Sequence, residues 1–425
     1  MTVADASSDL SKRIAEFVRR DFTPHFGERA DAFPSHPLWS RLRDLGSELW
    51  LDTGSLDDAA DVWTREFSAL TTNNTLLNKE VQQGTYDDLI READALLREE
   101  GGLSDRDRLL ELAFVLNARH ALRLVEEFDA YVSVEEHTDL AHDVDAAVET
   151  ARRYHAVCPD RFIVKVPLTP AGLLATRRLS DEGVPVNHTL GFSARQNVMI
   201  ARIARPRFVN VFLGRLGSFV KTSGLGGGEY IGQRTTLASQ RVVRALREAG
   251  TTPSRQIAAS FREGTQVRDL AGVDVLTMPP KVARGVLDLG FQPDGLDNRT
   301  VGKPEPPLAG SVDPTGVGLP VLWEVDERLE ACLDALEQED LRAFTPDDLL
   351  AFFADHDCRD ILVDWTDEQV ATSAEEGKIP TLANWGEALQ AGEVGLDALM
   401  NLAGLNAFAA DQKAMDAHVA EVLKA

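Results

Sequence analysis

The sequence predicts an α/β protein: a (β/α)8 TIM barrel with additional N-terminal helices and a helical C-terminal extension. Three observations carry that reading. Apolar stretches of about 5–8 residues, the length of buried strands, alternate eight times with amphipathic stretches between residues 48 and 279. The links are short, as parallel βα units require, and eight such units favour a closed barrel over an open doubly wound sheet. The apolar stretches also tend to run out into polar or ionisable residues. That is where a barrel of this kind gathers its functional groups, at the C-terminal ends of its strands.

In chain order, residues 8–20 and 36–46 have the spacing of amphipathic helices. Residues 48–54 then form a short strand ending in Asp52, and Asp57 and Asp58 open a helix where acids favour the N-terminus. Residues 69–76 read as a strand running into Thr and Asn, residues 84–125 as helical, 128–137 as a strand closing on acids, and 139–154 as a helix. The strand at 161–168 is followed by a helix at 170–181, and the strand at 183–192 by a helix at 193–203. A strand at 207–215, a glycine-rich loop at 223–229 and a helix at 233–248 come next. Strands at 255–262 and 273–279, with a helix at 265–271 between them, complete the alternation. The division expected is a catalytic barrel with its N-terminal helices at 1–292, a Pro/Gly-rich loop or linker at 293–320, and an acidic helical region at 321–425 that packs on or caps the barrel. Helices are expected there at 322–336, 346–353, 382–390 and 396–423, with a short apolar island at 361–365.

With 44 basic and 69 acidic residues the chain carries a formal charge of −25, which makes nucleic acid and anionic membrane surfaces poor partners. A few placed arginines can still override that field locally for an anionic small molecule. Cys158, Cys332 and Cys358 are odd in number and lack C-x-x-C spacing, which suits reduced thiols. The start of the chain lacks the basic and apolar regions of a signal peptide, and no apolar run approaches the roughly 20 residues of a membrane span. A cytoplasmic protein without membrane contact is expected.

The strand at 161–168 holds the chemistry. Phe162, Val164 and Val166 share one face, and Ile163, Lys165 and Pro167 the other. A lysine held away from bulk water loses part of its preference for the charged form, and its neutral amine is a carbonyl nucleophile. Taken alone, Lys165 reads more simply as a residue snorkelling from an edge strand or paired with a carboxylate. Its neighbours change that balance. Asp52, Asn73, Glu135, Asn187, Thr189, Asn210, Phe212, Ser260 and Arg262 all fall on predicted strands or their exits, and Arg215 follows shortly after Phe212. A barrel that needed only packing would place Val, Ile and Leu there. Lys165 as nucleophile would form a Schiff base with a ketone, an electron sink that lets a neighbouring carbon–carbon bond break. Asp52 and Glu135 are the candidates for moving protons, Thr189 could position a water, and Arg215, Ser260 and Arg262 suit a phosphate.

Seven stretches, in order, resemble those of the transaldolases, Schiff-base enzymes of the pentose phosphate pathway: Trp50-Leu-Asp-Thr, Thr71-Thr-Asn-Asn-Thr-Leu, Val132-Ser-Val-Glu, Ile163-Val-Lys-Val-Pro, Val186-Asn-His-Thr-Leu-Gly-Phe-Ser, Val211-Phe-Leu-Gly-Arg-Leu and Ala259-Ser-Phe-Arg. The resemblance covers roughly residues 45–290. It implies that Lys165 is the Schiff-base lysine, Asp52 the acid/base for carbon–carbon cleavage, and Glu135 with Thr189 the holders of the catalytic water. It further implies that Asn73, Asn187 and Asn210 contact a dihydroxyacetone unit, that Phe212 shapes the site, and that Arg215, Ser260 and Arg262 grip the phosphate. The family passes that three-carbon unit between sugar phosphates without metal or organic cofactor. A homodimer is compatible with the resemblance. Asn74 stands where the family usually has proline, and Asn210-Val211 where many members carry Ser-Pro. Phe212 and Glu135 are as in transaldolases, where the related fructose-6-phosphate aldolases carry tyrosine and glutamine. Residues 345–395 lie outside the match.

Rival readings are weaker. Glu135-Glu136-His137 with Asp139 invites a metal, but such groups on a strand exit are usually solvated or paired. The loop at 223–229 does not satisfy G-x-G-x-x-G, and the nine histidines contain no H-E-x-x-H. Trp323, Trp365 and Trp385 read as packing residues. The alternatives left open are an aldolase that releases free dihydroxyacetone and a non-catalytic sugar-phosphate-binding paralogue. Retention of Lys165, Asp52 and Glu135 together favours an enzyme.

Overall fold

Eight strands close on themselves in chain order: β1 (Glu48–Asp52), β2 (Phe67–Thr71), β3 (Tyr131–Glu135), β4 (Phe162–Pro167), β5 (Val186–Thr189), β6 (Phe208–Phe212), β7 (Arg255–Ala259) and β8 (Val275–Met278). Each pairs parallel with the next, and β8 returns to β1, so no strand edge is left open. This computed structural model describes residues 8–28, 32–310 and 312–424. Residues 1–7, on which the reading of the chain start rests, lie outside the described residues.

The expected (β/α)8 barrel is therefore the fold, and the side-chain layers inside it explain why the site lies where it does. Strand residues alternate between barrel interior and helical shell. Phe162, Val164 and Val166 are buried under the surrounding helices, as their period predicts. Inside, Trp50 of β1 meets Phe208 of β6 edge-on, with ring centroids 4.8 Å apart. That pair plugs the lower half of the barrel with apolar volume. Two residues further along the same strands stand Asp52 and Asn210, so the polar layer begins directly above the aromatic floor. The register fixes who is beside whom: Glu135 aligns with Lys165, and Lys165 with Asn187.

Several element boundaries differ from expectation for identifiable reasons. The strand expected over 69–76 ends at Thr71, because Asn73 caps a helix at Asn74–Gln82 by accepting from the Leu76 N–H at 2.9 Å. The helical stretch expected at 84–125 is two helices, Asp87–Glu100 and Asp105–Phe128, separated at Gly101 and Gly102, both of which take positive φ. Phe128 therefore ends a helix instead of opening β3. The strand expected over 207–215 stops at Phe212, and Leu213–Thr222 is a helix that carries Arg215 in its first turn. The helix expected at 139–154 begins later, at Val144, capped by Asp143.

Past the barrel, residues 293–310 and 312–320 run along its surface. Arg241 donates to the Gly302 carbonyl and the Arg299 N–H to the Ala271 carbonyl. Helices follow at Glu327–Leu336, Pro346–Asp355, Asp367–Glu376, Leu382–Ala391 and Leu396–Val422. The helix Asp367–Glu376 was not expected; Thr366 and Gln369 start it with a reciprocal capping box. Trp365 and Trp385 pack edge to face at 6.1 Å, and Trp323 lies under the Arg234 guanidinium, so all three serve packing. The three cysteines are buried and free. No helix among the described residues is long and apolar enough to cross a membrane.

Candidate active site

Lys165 rises from β4 into the upper layer of the barrel with only 4 % of its surface exposed. Its Nζ donates to the Thr72 carbonyl at 3.1 Å and lies 3.4 Å from Glu135 Oε1. Glu135 is held from behind by the backbone N–H of Asn74, at 3.0 Å from Oε2. Burial drives the Glu135 carboxyl above its ordinary range, with Lys165 pulling the other way. Asp52, across the same cavity, is also raised by burial and opposed by Lys165, by a 3.0 Å hydrogen bond from Thr71 Oγ1 and by Arg262. Two carboxyl groups and one amine thus share a largely desolvated space.

The asparagines form the next part. Asn210 donates from Nδ2 to Asn187 Oδ1 and to the His188 carbonyl, both at 3.2 Å. Asn187 in turn donates to Ser133 Oγ at 3.1 Å. Both amides are nearly fully buried, so their rotamers are fixed by protein partners. Thr189, at the end of β5, is buried with a hydroxyl that has no hydrogen-bond partner. An unsatisfied buried hydroxyl facing a cavity is costly in the empty molecule and suited to holding a water or a ligand.

The cationic side is built on β6 and β7. Arg215 is buried, with its guanidinium between the rings of Phe212 and Phe408 at 5.4 and 5.5 Å. Its Nη1 has no hydrogen-bond partner. Burial, with Arg262 nearby, lowers the Arg215 pKa to about 10. A desolvated guanidinium with an idle donor is a receptor for an anion. The N–H groups of the first helical turn, which have no carbonyl partner within the helix, add to it. Gly214 makes the approach feasible: a Cβ there would stand 2.1 Å from the Ser260 carbonyl and 2.9 Å from the Arg262 side chain. Ser260 holds a left-handed backbone, φ 67°, a strained conformation for a serine at the exit of β7. Arg262 stands exposed at the rim.

The residues singled out in the sequence come together. Asp52, Asn73, Lys165, Asn187, Thr189 and Asn210 line one cavity of about 180 Å³, as do Phe212, Arg215, Ser260 and Arg262. Glu135 completes the set through its contact with Lys165. Larger hollows of about 670 and 500 Å³ open elsewhere on the surface, but neither places a buried amine beside carboxylates. Asn73 has a second duty as the helix cap already described. Sequence reasoning missed Thr71 and Thr277, whose hydroxyls meet at 2.9 Å beneath Asp52. It also missed Lys378 and Phe408, which reach the cavity from the C-terminal region. Lys378 is half exposed and 3.9 Å from Asp411. The metal alternative loses its ligands: His137 Nε2 faces Asp416 at 3.2 Å and its Nδ1 accepts from the Asp139 N–H. The described residues contain no group of three or more His, Cys, Asp or Glu able to hold a metal ion.

Comparison with known proteins identifies the family. The family-level sequence model described as Transaldolase/Fructose-6-phosphate aldolase matches residues 49–353. A protein named transaldolase from Xanthomonas euvesicatoria is 31% identical over 257 residues, 57% of this chain and 75% of the relative. One of the same name from Xanthomonas campestris is 31% identical over 274 residues, 62% and 83% of the two chains. A probable transaldolase from Thermus thermophilus is 33% identical over 244 residues, 56% of this chain and 90% of the relative. The chain belongs to the transaldolase/fructose-6-phosphate aldolase family, and with it to the aldolase-type enzymes.

Proposed function

We propose that the protein is a transaldolase that moves a dihydroxyacetone unit from a ketose phosphate, such as fructose 6-phosphate or sedoheptulose 7-phosphate, to an aldose phosphate, such as erythrose 4-phosphate or glyceraldehyde 3-phosphate. The observation that carries the reading is Lys165, buried and in reach of Glu135, in one cavity with Asp52 and with the idle cation of Arg215. Lys165 Nζ adds to the substrate ketone, and the carbinolamine loses water to give the iminium. Asp52 takes the proton of the hydroxyl borne by the far carbon of the bond to be broken. That bond then cleaves, an aldehyde leaves, and its electron pair rests in an enamine on Lys165. The enamine carbon adds to the carbonyl of the acceptor, and Asp52 returns its proton to the new alkoxide. A water held by Glu135 and Thr189 adds to the iminium, the C–N bond breaks, and the product ketose departs.

Asn73, Asn187 and Asn210 are assigned to the hydroxyls of the three-carbon unit, and Phe212 to the shape of the site. Arg215, Ser260 and Arg262 are assigned to the phosphate. On this reading residues 1–292 are the catalytic part, 293–320 a surface loop, and 321–425 a region that caps the barrel mouth. The reaction needs neither metal nor organic cofactor, since the amine itself supplies the electron sink. A cytoplasmic location suits sugar phosphate substrates.

The test is borohydride reduction in the presence of fructose 6-phosphate, followed by mass spectrometry. The expected result is a reduced three- or six-carbon adduct on Lys165, absent in Lys165→Ala of unchanged fold. No adduct in the unmodified protein leaves only a binding role and defeats the proposal. Addition of erythrose 4-phosphate then separates transfer, which yields a seven-carbon ketose phosphate, from an aldolase that frees dihydroxyacetone.

A further inference from the structure

One wall of the cavity does not come from the barrel. Phe408 lies on the helix Leu396–Val422, well past residue 353 where the family match ends. That helix is tied down along its length to the exits of several strands. Near its start, Asp397 accepts from Ser193 Oγ at 2.6 Å and from Arg195 at 2.7 and 2.9 Å, all buried. A turn later Asn401 donates to the Leu190 carbonyl at 3.1 Å, just beyond β5, where Leu190 itself holds a positive φ. Beyond Phe408, Asp411 accepts from Thr75 after β2, and Asp416 faces His137 after β3. Fixed before and after Phe408, the helix runs along the exits of β2, β3 and β5 and brings the Phe408 ring to the cavity. Gly404, one turn earlier, allows the close approach: a Cβ there would meet Leu190 Cδ2 at 2.9 Å and Arg215 Nη1 at 3.3 Å.

The Phe408 ring is buried, 5.4 Å from Lys165 Nζ and 5.5 Å from the Arg215 guanidinium. Phe212 meets it edge-on at 6.5 Å. The ring therefore forms a buried wall of the cavity beside both the amine and the guanidinium. In a Schiff-base reaction that is where the outcome is decided. After cleavage, the enamine on Lys165 can add to an aldehyde, or its carbon can take a proton from solvent. The second route gives an iminium that adds water and breaks its C–N bond, so that the enamine plus one water becomes free dihydroxyacetone and the amine.

We propose that Phe408 is a specificity-determining residue that keeps bulk water from the enamine on Lys165, so that the three-carbon unit is held for transfer instead of being released. The inference rests on the transaldolase reading above. The amine, the carboxyls and the phosphate cations come from the barrel, whereas this choice between fates comes from the extension.

The experiment is a graded series, Phe408→Leu, Phe408→Val and Phe408→Ala, in the full chain. For each, free dihydroxyacetone and seven-carbon product are counted per turnover with fructose 6-phosphate and erythrose 4-phosphate. Borohydride trapping is run alongside. Absence of a Lys165 adduct in the unmodified protein strikes at the Schiff-base reading itself. With that adduct present, the ratio of release to transfer should rise in the order Leu, Val, Ala. It should reach about tenfold or more in Ala, a change of barrier difference near 1.4 kcal/mol, with Leu close to the unmodified enzyme. In heavy water the released dihydroxyacetone should carry deuterium at the carbon that was the enamine. A flat series, with ratios within about twofold of the unmodified enzyme among variants that still trap, overturns the inference. If Ala does not fold, the order of Leu and Val decides.

Discussion

Replacing Arg215 with methionine separates what this residue does for the fold from what it does for a ligand. Its guanidinium is buried between two aromatic rings, and one of its nitrogens has no hydrogen-bond partner. An unsatisfied buried donor costs about 1–3 kcal/mol, and the two ring contacts return about 0.5–2 kcal/mol each. Methionine fills similar space, keeps contact with the rings and removes the charge, so stability should move by about 1 kcal/mol or less in either direction. An arginine whose role was to complete a buried ion pair would instead cost about 3–5 kcal/mol. The ligand side is asymmetric. A charge-assisted hydrogen bond contributes about 1.5–3 kcal/mol, and a forked contact to phosphate sits at the upper end. Arg215→Met should therefore lower kcat/KM for fructose 6-phosphate by roughly 100-fold, while activity on unphosphorylated fructose, slow to begin with, changes by less than about threefold. Urea unfolding and paired kinetics on the two sugars read both quantities. Equal losses on both sugars, or a large loss of stability, would refute the assignment of Arg215 as an anion receptor.

Two further perturbations probe groups outside the reacting set. Asp397→Ala removes the carboxylate that takes two hydrogen bonds from Arg195 and leaves that buried cation with Asp360 alone, so it should cost about 3 kcal/mol in urea unfolding. The double variant Arg195→Met with Asp397→Leu should recover most of that loss, because Asp360 keeps Arg328 as a partner. Glu136 is buried with an unpartnered Oε1, and its carboxyl is pushed well above the usual value by burial and by Glu135. A raised folded-state pKa means that its contribution to stability is fully present below the unfolded value near 4.5 and is lost as pH rises toward the folded one. Glu136→Gln should therefore match the unmodified protein at pH 4 and become progressively more stable than it toward pH 8 in denaturant midpoints. A difference that is constant with pH would reject burial of the charge as its cause.

The barrel and most of its site were legible because both rest on local signals. Period-two alternation places Lys165 and its neighbours on one strand face, and polar residues recurring at apolar strand ends mark one end of a closed barrel. Parallel register then does the rest, bringing Glu135, Lys165 and Asn187 side by side without any further specification. Where the reading went astray, a cap or a glycine had decided the matter. Asn73 starts a helix where a strand seemed to continue, and Gly101 and Gly102 split what looked like a single helical run. Phe408 and Lys378 could not have been found in this way. Phe408 sits in a helix with apolar residues on every side, so no face is marked as facing a cavity. Its place over Lys165 depends on anchors more than 200 residues apart in the chain, such as Asp397 to Ser193.

The distribution of charge shows how the two parts of the chain divide the work. The molecule carries a net −25, so a doubly charged sugar phosphate approaches against the average field. Inside the mouth the balance shifts toward the cations: Lys165, Arg215, Arg262 and Lys378 stand against Asp52, Glu135 and Asp411. Groups that line one cavity act on a ligand at short range, whereas exposed charges farther away than the screening length of about 10 Å at ordinary salt are damped. Burial then determines the form of each group. It raises Asp52 and Glu135, which suits the proton transfer proposed for them, and leaves Arg215 Nη1 without a hydrogen-bond partner, which suits the anion site proposed there. The helix that carries Phe408 adds a wall to the same cavity, so on the reading proposed above the barrel sets which bonds can break and the extension sets how much water reaches them.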